Sequence, residues 1–155
     1  MSHNVNKFYH VSTTDAPARQ TVSDSYVELT GSKCAASIRS GGALVVKYCF
    51  YVANVTSSNK YLLHVKLQTS DDNFSSDVND VSGQQFNISG DTRSTERHFQ
   101  MCNTFFMLNN FAATHIRVVA RAYSSSNEAY LHRSYDWDGA SSEVYFNPSL
   151  LVMEV

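Results

Sequence analysis

The stretch "ALVVKYCFYVANV" (43–55) constrains what this chain can fold into more than any other segment. Val46, Tyr48, Phe50 and Val52 fall on one parity, Lys47, Cys49 and Tyr51 on the other. Successive side chains of a strand point to opposite faces, so a period of two carried by β-branched and aromatic residues predicts a sheet strand. After the polar turn "TSSNK" comes "YLLHVKLQT" (61–69), with Leu63, Val65 and Leu67 predicted inward and Leu62, His64, Lys66 and Gln68 outward. The two segments read as an antiparallel hairpin with one solvated face.

Alternation recurs along the rest of the chain. "SYVEL" (25–29) and "KCAASI" (33–38) form a short pair around "TGS". In "RHFQMCNTFFML" (97–108), Phe99, Met101, Asn103, Phe105 and Met107 oppose His98, Gln100, Cys102, Thr104 and Phe106. Both faces end apolar, which predicts a second buried surface. "THIRVVARAYSS" (114–125) sets Ile116, Val118, Ala120 and Ala122 against His115, Arg117, Val119, Arg121 and Tyr123. "YLHRSY" (130–135) and "SLLVMEV" (149–155) follow. With nine Tyr and nine Phe in 155 residues and no sustained helical window, the expected fold is all-β. About eight strands in a two-sheet antiparallel sandwich of jelly-roll type is the economical arrangement. Residues 1–22, polar and without period, are expected as a flexible N-terminal arm, and 23–155 as the single jelly-roll domain. The polar run 70–96 is expected as a long functional or interface loop.

Twelve basic and fourteen acidic residues give a formal charge of −2, which offers no footprint for nucleic acid or an anionic membrane. The N-terminus lacks a basic region followed by an apolar run, and no stretch approaches 18 apolar residues, so a protein made in the cytoplasm and used without crossing a membrane by a sequence-encoded route is expected. Cys34, Cys49 and Cys102 lack C-x-x-C spacing and are expected as reduced, packed thiols. The triplets at Asn54, Asn73 and Asn87 carry little weight without a secretory signal.

Candidate sites resolve mostly to scaffold. His98 and Cys102 are four apart, which on a strand separates them by roughly 13 Å. His64, His115 and His132 sit on different strands, and no metal site is expected. "DDNFSSDVNDVSG" places Asp71, Asn73, Ser75, Asp77 and Asn79 at alternate positions like a calcium loop, but Ser76 and Ser82 stand where an EF-hand needs Gly and Glu. Asp136 and Asp138 flank Trp137 before Gly139; paired carboxylates suit glycoside hydrolysis, yet "DWDG" reads as a structural turn. No catalytic residue, cofactor or nucleotide motif is expected. Arg117, Val119, Arg121 and Tyr123 share one face, and Phe106 adds an apolar group on a neighbouring strand. Aromatic and Arg residues among aliphatics suit an oligomer interface, and equally the packing of a two-sided inner strand.

The C-terminal third, "HIRVVARAYSSSNEAYLHRSYDWDGASSEVYFNPSLLVMEV", resembles virion structural proteins of tailed bacteriophages, especially marine ones. In these an "AR-x-YSSSNE", "LH" and "WDG" stretch and a final "P-x-L-x-V" strand, met here by "ARAYSSSNE", "LH", "WDG" and "PSLLV", close a small jelly roll. "ALVVKYCFYVAN" and "YLLHVKLQTSDD" are similar to their central hairpin, so the resemblance covers about residues 25–155. It implies a tumour-necrosis-factor-like homotrimer serving as capsid decoration or cement protein, head fibre or tail component. It implies major capsid protein or other virion proteins as partners and the capsid surface as location, with no catalytic residues. Under this resemblance the 1–22 arm and the 70–96 loop are the expected capsid contacts. The competing expectation is a tail or head-fibre protein whose exposed Tyr, Trp137, Asn and Asp residues bind host surface glycan.

Overall fold

The computed structural model describes residues 8–14, 19–36, 42–53, 61–88, 99–123, 128–135 and 143–155. Its strands, in chain order, are β1 (Phe8–Thr13), β2 (Gln20–Val22), β3 (Val27–Glu28), β4 (Cys34–Ala35), β5 (Leu44–Ala53), β6 (Tyr61–Ser70) and β7 (Asn79–Ile88). They continue with β8 (Phe99–Leu108), β9 (His115–Ala122), β10 (Ala129–Leu131), β11 (Arg133–Tyr135), β12 (Glu143–Tyr145) and β13 (Ser149–Glu154). A six-stranded sheet runs β1-β13-β5-β10-β2 with β8 on the other side of β5, and a five-stranded sheet runs β3-β9-β6-β7 with β4 also on β9. The remaining pair, β11 and β12, forms a small ribbon. Every pairing is antiparallel, and the two sheets pack face to face. The expected all-β, two-sheet antiparallel sandwich is therefore what the chain forms.

The core lies where the alternation puts it. Val46, Tyr48, Phe50 and Val52 of β5 face Leu63, Val65 and Leu67 of β6 and Ile116, Val118 and Ala120 of β9, all fully or almost fully buried. Tyr48 stacks on Phe50 at 5.6 Å between centroids, and Phe86 meets Phe50 edge-on at 6.0 Å. The Tyr48 hydroxyl donates to the Thr30 carbonyl, which satisfies the one polar atom this ring carries inward.

Several expectations need correction. Neither expected hairpin forms: β5 pairs with β8, β10 and β13 in one sheet and β6 with β7 and β9 in the other, so the two face each other across the core, and β3 and β4 each pair with β9 rather than with each other. The strands also outnumber the expected eight or so, because short segments at the sheet edges pair as well. Residues 8–13 and 20–22 fall in the expected arm, yet β1 pairs with β13 and β2 with β10. Thr14 N–H then donates to the Pro148 carbonyl, prolonging the β1 ladder. The polar run 70–96 holds a ten-residue strand, β7, paired along β6 with a bulge between Leu67 and Gln68. Its sequence hides the strand because it is a sheet edge: only Gln84, Phe86 and Ile88 turn from solvent, so little apolar period is needed. The stretch 130–135 is not one strand but two, broken at His132, whose φ of 67° turns the chain out of the large sheet into the ribbon.

Between β3 and β4 the edge of β9 would be left open opposite Val118. Ser32, fully buried, closes it: its hydroxyl donates to the Val118 carbonyl at 2.8 Å and accepts the Val118 N–H at 3.1 Å. Leu29 N–H donates to the same carbonyl at 2.9 Å. One side chain thus substitutes for the missing residue of a ladder. Ser32→Ala leaves the buried Val118 N–H without its acceptor and is expected to lower unfolding free energy by about 1–3 kcal/mol in a urea titration.

Candidate functional site

The outer face of the five-stranded sheet collects four of the five residues expected at an interface. The β6 register sets His64 opposite Arg121 and Gln85, Lys66 opposite Val119 and Gly83, and Gln68 opposite Arg117 and Asp80. Cross-strand neighbours on one face are about 5 Å apart, so these form three rows across β7, β6 and β9, the middle one polar only at Lys66. Two rows are closed by their own charges. Lys66 pairs with Asp80 at 2.6 Å, Gln68 donates to Asp80 at 2.8 Å, and Arg117 reaches Gln68 at 2.9 Å and Glu28 at 3.4 Å. Arg117 also lies 4.1 Å above the Phe74 ring. Hydrogen bonds from Lys66 and Gln68 hold the Asp80 carboxyl below its ordinary range.

The remaining row is different. Arg121 is exposed and lies beside His64, with the Tyr26 ring 5.3 Å from its guanidinium carbon and no carboxylate paired with it among the described residues. His64 Nδ1 and the Tyr26 hydroxyl share a hydrogen bond. Desolvation, then the nearby Lys66 and Arg121 charges, lower the His64 pKa and keep the imidazole neutral. Tyr123 stands 72 % exposed at the end of β9.

Of the five residues expected at an interface, Arg117, Arg121 and Tyr123 lie on this face. Val119 shares it but is buried between Lys66 and Glu28 in the register. Phe106 does not belong with them: it is 2 % exposed, pairs with Val46 and sits in the sandwich core. The residues that β8 offers outward are Met101, Phe105 and Met107, exposed by 53, 51 and 55 %. Parity dictates this, because Thr104 pairs with Tyr48 and Cys102 with Phe50, so both share the core face with Phe106. The face of β8 richer in large apolar groups is the one turned away from the core. A signal existed in the sequence: the neighbouring strand's inward set, matched antiparallel, selects the Cys102–Thr104–Phe106 parity.

Beside Phe105, on the outer face of the six-stranded sheet, a groove of about 350 Å³ runs between β8, β5 and β13, lined among others by Lys47, Cys49, Asn103 and Leu151. The edge of β8 is not left bare. The Gln84 side chain donates to the Phe105 carbonyl at 2.7 Å and accepts its N–H at 3.2 Å, a clamp from β7 that occupies the ladder positions another strand would use.

The calcium-like loop is organised by a residue the alternate pattern passes over. Asp72 accepts from the backbone N–H groups of Ser75, Ser76 and Asp77 and from the hydroxyls of Ser70 and Ser76. These donors hold its carboxyl well below the usual range, Ser76 most of all. Asp77 accepts from the Asp71 N–H and the Asn79 amide. Among the described residues no three His, Cys, Asp or Glu side chains are grouped to hold a metal ion. His115 accepts or donates at Thr114, and His132 is buried elsewhere. All three cysteines are free; burial pushes Cys34 up to about 11 and Cys102 up to about 12. Asp136, Trp137, Asp138 and Gly139 lie outside the described residues, as do Asn54 and His98. No family model matches this chain, and no curated protein matches it significantly.

Proposed function

We propose that this chain is a virion structural protein of a tailed bacteriophage, a capsid decoration or cement protein that sits on the outer capsid surface as a homotrimer and stabilises the shell. The observation that carries the reading is the exposed row Met101, Phe105 and Met107 beside an apolar groove on one sheet. Three half-exposed side chains of this size leave on the order of 300 Å² of apolar surface, at the lower end of the largest patches monomers carry, which are often functional. Covering it returns about 25 cal/mol per Å², roughly 7 kcal/mol gross per protomer before association costs. The occupant proposed is a second copy of this chain. In a closed ring each protomer gives the row and receives its neighbour, so no patch is left open.

A jelly-roll winding is the finer fold we infer, and the pairings support it. β1 pairs with β13, β3 and β4 with β9, β5 with β8, and β6 with β7, so outer segments of the chain pair around inner ones. Alternate pairs fall in opposite sheets. The sequence resemblance to phage virion proteins has this winding as its expected frame. Several weak trimer-to-shell contacts would then act together through multivalency.

Light scattering tests the assembly: a mass near three times 17.3 kDa is expected, and Phe105→Glu should give single chains with unchanged far-UV circular dichroism. A wild-type monomer, or a trimer that survives Phe105→Glu, overturns the self-association surface. Antibody-labelled protein on intact particles should decorate the head; label confined to the tail tip transfers the role to host attachment.

A further inference from the structure

We propose that the concavity between β6, β7 and β9, around Arg121, binds an acidic saccharide unit, its carboxylate paired with the Arg121 guanidinium and its ring laid against Tyr123. The cavity holds about 280 Å³ and is lined by Leu62, His64, Gln85, Arg121, Ala122 and Tyr123. That is room for one pyranose with its substituents. The site lies on the sheet opposite the Phe105 groove and does not rest on the trimer reading.

Charge bookkeeping on this face points to an anion. Asp80 is taken by Lys66 and Gln68, and Glu28 by Arg117. Arg121 is the cation of the face left without a carboxylate among the described residues, and its planar fork is matched to a bidentate oxyanion. His64 is positioned from both sides. Tyr26 holds Nδ1, and Gly83 leaves space for the ring, since a Cβ there would come within 2.8 Å of His64 Nε2. Whichever role Nδ1 takes towards Tyr26, the neutral ring offers Nε2 the opposite one, a donor or an acceptor for a sugar hydroxyl. Gln85, in the same cross-strand row, supplies both a donor and an acceptor.

The apolar wall argues for a sugar rather than a bare ion. Half-buried Leu62 and the exposed Tyr123 ring match the C–H face of a pyranose while polar groups meet its hydroxyls. An inorganic anion would use Arg121 and leave that wall idle.

The test is a two-dimensional NMR titration of the full chain with methyl glucuronide, methyl glucoside and inorganic phosphate. Methyl glucuronide should shift His64, Arg121 and Tyr123 together and bind at least tenfold more tightly than methyl glucoside. Arg121→Gln should remove that preference, and Tyr123→Ala should weaken glucuronide binding several-fold, each with unchanged melting temperature. Phosphate binding as tightly as glucuronide, with no dependence on Tyr123, would reduce the site to a simple oxyanion cradle and overturn the saccharide assignment. Absence of shifts at these residues with any probe overturns the site itself, as does burial of Tyr123 against another protein in the assembled particle.

Discussion

Phe106→Ala is expected to cost about 3–5 kcal/mol of unfolding free energy, while Phe105→Ala, one residue earlier, leaves the isolated fold within about 0.5 kcal/mol of wild type. The two side chains are chemically identical and adjacent, so the difference tests strand parity alone. Phe106 lies opposite Val46 inside the sandwich, and its removal loses both transfer free energy and packing that the surrounding core residues cannot refill. Phe105 pairs with Lys47 on the outer face, with the Lys47 ammonium 6.0 Å above its ring. Chemical denaturation across protein concentrations separates the effects. Phe105→Ala acts only through self-association, so any loss grows with concentration, whereas the Phe106 loss is the same at every concentration. A reversal of the two costs would mean that β8 pairs one residue out of the register described, and equal costs would overturn the assignment of Phe105 to the outer face.

Why β5, β6 and β9 were legible while β7 and β1 were not follows from what each buries. β5 and β9 present an apolar residue at every second position because they lie within a sheet, and Leu63, Val65 and Leu67 announce β6 for the same reason. β7 is held by backbone ladder bonds to β6 and by the Gln84 clamp, neither of which demands apolar residues, so its ten residues read as a loop. β1 is an edge strand outside β13 and escaped notice in the same way. Strand pairs broken by a single residue are equally silent: nothing in "YLHRSY" distinguishes His132 until its φ is known. On the outer face of the smaller sheet, the grouping of Arg117, Arg121 and Tyr123 was readable from parity within one strand. That Arg117 is neutralised and Arg121 is not depends on Glu28, far away in sequence and brought in by β3. The Phe106 assignment failed because both parities of β8 are apolar, and only the partner strand decides between them.

The second large effect expected is acid destabilisation through His132. Its side chain is fully buried, and neither ring nitrogen has a hydrogen-bond partner among the described residues. Its backbone is tied down instead, N–H to the Tyr51 carbonyl at 2.8 Å and carbonyl to the Phe146 N–H at 2.9 Å, which fixes the ring in place. Burial pushes its pKa down from 6.5 to about 4. A group whose folded pKa is depressed is neutral in the fold and must wait for unfolding to take up a proton. Its contribution is therefore intact above pH 6.5, declines as the pH falls from 6.5 towards 4, and changes no further below that. The drop amounts to about 3 kcal/mol over the window. His64 shifts in the same direction but is unchanged by substitution at position 132, so a difference between variants isolates one residue. His132→Phe fills a similar volume and cannot be protonated, though it keeps the φ of 67° at a residue that favours it less than histidine does. The variant is expected to be of similar or slightly lower stability at pH 7 and more stable than wild type at pH 4.5. Denaturant unfolding at both pH values measures the crossing; parallel losses in the two proteins would show that the imidazole finds a partner on protonation and does not govern the acid limit of the fold.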